Sequence, residues 1–261
     1  MSDSTTLDCA SAQRPRPAAR RAEILKIMSL RSTIALACVT VVLTVLASGL
    51  VSRADDPPRT GDSANPLATS LGGLILAQLL IAVLGAVAMT SDYSTNFIYM
   101  TLTAFPRRAR LYAAKLEACA VVMGAVALVT IGMALLVSQF ILHGTDAALS
   151  PSTPHLLRAL AGSVYYLFGW GIAGYGIGAV VRRTAPAIGI VVVLQWVFPG
   201  LLSVYDLALS NDMMPTATGQ ELLTIAVPHA GEPSVLGAAL SFTCFVAICL
   251  AAGWQIFRRN Q

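Results

Sequence analysis

The sequence predicts an all-α polytopic membrane protein with six transmembrane helices and both termini cytoplasmic. Three observations predict it. Of 261 residues, 56% are apolar and only 11% charged, where soluble domains run at roughly 45–50% and 25%. Six stretches reach the roughly 20 apolar residues that a helix needs to cross a bilayer core. Basic residues gather in alternate connections between those stretches. A water-facing surface for a chain this long needs more charge than the sequence carries, so soluble classes are excluded.

Residues 1–17 read as a disordered polar tail, and residues 18–261 as one transmembrane domain. The polar, basic beginning has no short apolar core and no small-residue cleavage site. The first apolar run is therefore expected to serve as an uncleaved anchor. The spans are expected at about 32–51, 67–90, 118–142, 160–181, 185–205 and 235–257, none with an interior Asp, Glu, Lys or Arg. Alternating ten-residue strands are absent, which leaves helices as the structure that satisfies its own backbone in lipid.

Orientation follows from Lys and Arg. Fourteen fall at the N-terminus through Arg31, in the connections around Arg107–Lys115 and Arg182–Arg183, and at Arg258–Arg259. Three, Arg53, Arg59 and Arg158, fall on the other side. The net positive charge thus reads as membrane topology rather than nucleic-acid binding, and the basic face suits anionic lipid. The expected location is the cell (plasma) membrane, crossed several times.

Between the spans, residues 52–66 and 143–154 read as short turn-rich loops, the first with Asp55-Asp56-Pro57-Pro58. Residues 206–234 form a longer segment with an apolar patch at Leu222–Val227, too short to span. In the fourth span Gly171, Gly174 and Gly178 share one helical face. Such a face serves close packing within one subunit, a dimer seam or the lining of a substrate path. Gln78, Gln139, Gln195 and Gln255 are the conspicuous polar residues in or near the spans, and each is expected to bond a neighbouring helix.

Chemistry-bearing motifs are missing. The five cysteines show no C-x-x-C pairing and read as small buried hydrophobes. His143, His155 and His229 are widely spaced outside the spans, which argues against a metal site. No phosphate loop, H-E-x-x-H or G-x-S-x-G occurs, so the sequence points away from an enzyme. No carboxylate lies at membrane depth to carry proton or sodium coupling. Uphill transport by this chain would draw its energy from elsewhere.

The most informative stretch is Ser91–Ala118, SDYSTNFIYMTLTAFPRRARLYAAKLEA. Its dense apolar residues flanked by charge fit a helix lying on the inner membrane surface, while the charge alone fits a basic loop that sets topology. Asp92-Tyr93, then Thr101-Leu102-Thr103-Ala104-Phe105-Pro106-Arg107-Arg108, then Ala114-Lys115, resemble the loop after the second span in ABC-2 type permeases, the membrane subunits of ABC exporters. Ala22-Glu23-Ile24-Leu25-Lys26 and Leu30-Arg31-Ser32-Thr33 resemble that family's N-terminal amphipathic helix, which leads into the first span. Asp92 stands where glutamate is commoner, Asn96-Phe97 replaces Gly-Thr, and Tyr99 stands where a basic residue is frequent.

The resemblance implies a coupling helix around residues 91–106 and an amphipathic helix near residues 18–30, both touching a separate ABC ATPase subunit. The implied coupling residues are Glu23, Lys26, Asp92, Tyr93, Thr101, Pro106, Arg107, Arg108 and Lys115. It implies no catalytic, cofactor or metal site in this chain, since ATP and Mg belong to the partner ATPase. It implies pairing with a second permease copy as homo- or heterodimer, a lipid bilayer setting and no nucleic acid. The implied cargo is a drug-like compound, an antibiotic or a peptide moved outward. Two further readings stay open: an immunity module that expels a peptide antibiotic, and a non-transporting membrane scaffold or sensor.

Overall fold

The computed structural model describes residues 31–54, 67, 70–94, 108–143, 155–204, 214–217, 222 and 235–259. They build six helices long and apolar enough to span a membrane. These are α1 (Arg31–Ala54), α2 (Leu74–Ser94), α3 (Arg108–Leu142), α4 (Leu156–Val181), α5 and α6 (Val235–Arg259). The fifth has three parts: an α-helix over Thr184–Val192, a π-helical stretch over Val193–Val197, and an α-helix over Phe198–Val204.

Side-chain neighbours fix the directions. Gly49 of α1 faces Val137 and Ile141 of α3, so those two run parallel, as do α2 with α4 and α4 with α6. Thr90 meets Thr184 while Gln195 meets Gln78, so α5 runs against α2. Successive helices therefore alternate in direction. Arg31, Ser94, Arg108, Arg182, Arg183 and Arg258 all lie at one end, hereafter the basic end; Arg53 and Arg158 mark the other.

The fourth helix is the hub: 72% of its spanning stretch is buried, against 11% of α6. It packs on α2, α3, α5 and α6, while α1 lies outside against α2 and α3. Trp170, Tyr166 and Tyr175 are its largest wholly buried side chains. The outer helices turn large apolar residues outward, Val42, Leu46 and Leu50 on α1 and Leu128, Leu136 and Phe140 on α3 among them. Apolar surface on that scale is foreign to a soluble monomer and natural in lipid.

The first helix is polar on its inner side. Thr33, Thr40, Thr44, Ser48 and Ser52 are buried. Thr40 and Thr44 donate to the carbonyls four residues back, Leu36 and Thr40, at 2.8 and 2.7 Å. Lipid offers no partner for a hydroxyl, so these groups face protein and bond backward.

Boundaries differ most from expectation at two places. The second helix begins at Leu74 rather than near residue 67. Leu71 N–H bonds Leu67 O in a preceding turn, and Gly72-Gly73 separates that turn from the helix. A side chain at Gly73 would overlap the Thr44 carbonyl, and its N–H donates to Ser48 Oγ at 3.1 Å. Apolarity alone did not distinguish this close crossing of α1 from more helix. The third helix begins at Arg108, ten residues before the expected Ala118, and runs 35 residues. At 1.5 Å per residue that is about 52 Å, well beyond a core of roughly 30 Å.

The cysteines only partly match the expected burial. Cys119 is buried and Cys249 half-buried, but Cys38 and Cys244 are exposed on the outer faces of α1 and α6. Their thiols are apolar enough to face lipid, so periodicity in an all-apolar span gave no signal of their side.

Candidate functional site

Two constellations stand out, one inside the bundle and one at its basic end. The inner one begins with Pro199. Proline has no N–H, so the carbonyl of Gln195 loses its helical donor and the ring crowds the preceding turn. The chain responds by widening over Val193–Val197, where Phe198 N–H reaches back five residues to Val193 O. Such insertions concentrate at functional positions.

The widened turn carries Gln195, which is buried although Trp196 and Val197 after it are exposed. Its Nε2 donates to the main-chain carbonyl of Gln78 on α2 at 3.2 Å. The Tyr166 hydroxyl of α4 donates in turn to Gln78 Oε1. Tyr166 and Trp170 pack edge-on, and Phe242 of α6 lies against both, with Phe245 beside Trp170. One polar atom here, the buried Gln195 Oε1, lacks a partner among the described residues. An interhelical hydrogen bond in a bilayer averages about 0.6 kcal/mol, whereas a buried acceptor left unpaired costs about 1–3 kcal/mol. The Gln195 connection is therefore weak, the bond gaining less than the unpaired oxygen costs.

Of the other glutamines, Gln139 donates to Ser70 Oγ at 3.1 Å and Gln255 is exposed on α6. Ser138 donates to Ser70 O at 2.7 Å, tying α3 to the turn before α2. Near the same end Leu222 is buried, and a side chain at Gly162 of α4 would overlap its carbonyl. That contact belongs to the 206–234 segment; residues 223–227 of the apolar patch lie outside the described residues.

At the basic end Tyr112 of α3 sits among Tyr175, Trp254 and Phe257, ring centroids 5.4–5.5 Å away. Trp254 and Phe257 stack on one another. The Arg182 backbone adopts a left-handed conformation (φ 61°), its N–H caps α4 at Gly178 O, and its guanidinium donates to Ile256 O at 3.0 Å. Arg183 is extended, and Pro186 falls in the first turn of α5, where no N–H is needed. The starts of α3 and α5 and the ends of α4 and α6 are thereby joined. Lys115 is buried one turn beyond Tyr112.

The residues expected to couple to an ATPase fall around this end. Asp92 and Tyr93 lie in the last turn of α2, which continues through Ser94. Arg108 is the first residue of α3, and Lys115 follows two turns on. Glu23, Lys26, Thr101, Pro106 and Arg107 lie outside the described residues, as do residues 18–30 and 95–107. Gly171, Gly174 and Gly178 all face helices of the same chain. A side chain at Gly174 would overlap the Ala82 carbonyl of α2, one at Gly178 would come to 2.8 Å from Ala86 O, and one at Gly171 to 2.8 Å from Met123 Sδ of α3. Tyr112, Tyr166, Trp254 and Phe257 did not emerge from sequence, although the Tyr165-Tyr166 pair inside a glycine-rich span was a usable signal. No cluster of three His, Cys, Asp or Glu forms among the described residues.

Fold and geometry together define a multi-pass α-helical membrane protein. No family model matches the chain, and no curated protein matches it.

Proposed function

We propose that this chain is the transmembrane subunit of an ATP-driven exporter of the ABC-2 type. A separate ABC ATPase binds ATP and Mg and docks at the basic end, which faces the cytoplasm of a cell bounded by this plasma membrane. A second permease copy completes the translocation unit. The observation that carries the reading is the run from Asp92-Tyr93 through Thr101–Arg108 to Lys115, strung between the end of α2 and the start of α3.

Three features support it. Alternating helices bring the beginning of α1 and the end of α6 to the basic end, where positive charge favours the cytoplasmic side. The segment 95–107 connects α2 to α3 along the chain, and the Tyr112 cluster joins α3 to α4 and α6. A push delivered to the start of α3 by ATP-driven closure of the partner is passed to packed helices. ATP binding can then bias the permease between two arrangements. Asp206, Asp212, Glu221 and Glu232 in the segment before α6 favour a cationic or amphipathic cargo over an acidic one.

The test is to purify the tagged chain gently from its native membrane. An ATPase with a nucleotide-binding loop is expected near one-to-one, with hydrolysis dependent on this subunit. Replacing Arg107 and Arg108 together by Ala is expected to weaken that association at least threefold. Absence of any associated ATPase, under conditions that keep other membrane complexes whole, overturns the exporter reading in favour of a scaffold or sensor.

A further inference from the structure

The fifth helix divides at its π-helical stretch into two parts with different surroundings. Before it, Ala187 and Val191 are buried, Thr184 shares a 2.9 Å hydrogen bond with Thr90, and the segment packs on α2 and α4. After it, Phe198 and Leu201 are exposed. The Phe198–Val204 segment has no extensive packing on another helix among the described residues.

A π-helical stretch next to a proline already lacks a regular ladder of backbone bonds, so bending there breaks fewer of them than bending elsewhere. The side-chain tie at this point is Gln195 Nε2 on the Gln78 carbonyl, and it leaves Gln195 Oε1 buried and unpaired among the described residues. A connection so weak is released at little cost. Its acceptor is the main chain of the residue whose side chain receives the Tyr166 hydroxyl. The state of the tie is therefore shared with the hub helix.

We propose that α5 is a two-state element, hinged at Gln195–Pro199, in which the Gln195–Gln78 bond latches the Phe198–Val204 segment and its release lets that segment swing while Thr184–Val192 stays fixed. The hinge acts within this chain and does not depend on what the chain transports. Two states within reach of one another interconvert by population shift, and residues that take up the change need not touch a ligand.

The experiment measures spin-label distances in lipid nanodiscs, with the native cysteines replaced and labelled protein diluted by unlabelled protein. One label goes on Leu50→Cys of α1, which is exposed. The second goes on Gly200→Cys beyond the hinge or, separately, on Ile190→Cys before it. Two distances are expected from position 200 and one narrow distance from position 190. Gln195→Met is expected to raise the minor distance at 200 at least twofold without moving the 190 pair. Pro199→Ala, which restores an N–H for the Gln195 carbonyl, is expected to collapse the 200 pair to one distance. A single narrow distance at 200 that neither substitution alters overturns the proposal. So does a 190 pair that shifts together with the 200 pair, because α5 then moves as a rigid rod.

Discussion

The two halves of α4 are held by different means. Over Gly171–Gly178 the helix meets its neighbours through backbone. Side chains at Gly85 or Gly174 would overlap carbonyls across the α2 seam, and one at Gly176 would sit 2.6 Å from Cys249 O of α6. Over Ser163–Trp170 the spacing is set by side chains: Tyr166 reaches Gln78, and the Phe242 ring lies over Gly169. Close backbone approach multiplies dispersion contacts and tolerates no added volume. Side-chain spacing gives weaker, more replaceable connections. The half nearer the basic end is thus the rigid one, and the half with the widened α5 turn is the one with room to rearrange.

Substitutions can break or sharpen that contrast. The largest effect is expected from Gly174→Val, which must push α2 away along the seam. A loss of about 3 kcal/mol or more follows from overpacking, read by SDS titration of the protein in mixed micelles; unchanged stability would mean that the seam is not close. Tyr112→Ala removes the ring at the centre of the basic-end cluster. It should cost about 3 kcal/mol, at the low end for deleting a buried aromatic, and it should lower any partner ATPase activity in the same preparation. Tyr166→Phe keeps the ring and deletes one interhelical hydrogen bond. About 0.6 kcal/mol is expected, and no more than about 1.7 kcal/mol; a larger loss by the same titration would make the side-chain half as critical as the glycine half. Gly132→Ala on α3 meets open space and should stay within about 0.5 kcal/mol of the parent, the control for glycine replacement as such.

Helix number and approximate spans were legible because lipid forces apolarity and length on each helix. Gly171, Gly174 and Gly178 were legible as one face, since periodicity fixes a face without saying what it meets. Their partners Ala82, Ala86 and Met123 were not legible, because nothing local to α2 or α3 marks them. The start of α3 was missed for a related reason: Arg108–Glu117 is polar enough to look like loop, and what makes it helix is partly the aromatic cluster that Tyr112 joins. Gln195 was visible as a polar residue in a span. Its place in a widened turn follows from Pro199 four residues on, a local signal that went unread.

The connection between α4 and α5 is only two residues long, Arg182 and Arg183. That length has a consequence for how the protein is made. The fourth helix is the least apolar of the six and the most deeply enclosed, so alone it has the weakest claim on a lipid environment. A two-residue turn leaves no slack for one limb to wait outside while the other crosses. The two helices are therefore expected to enter the membrane as one unit, with the paired arginines held together at a single face.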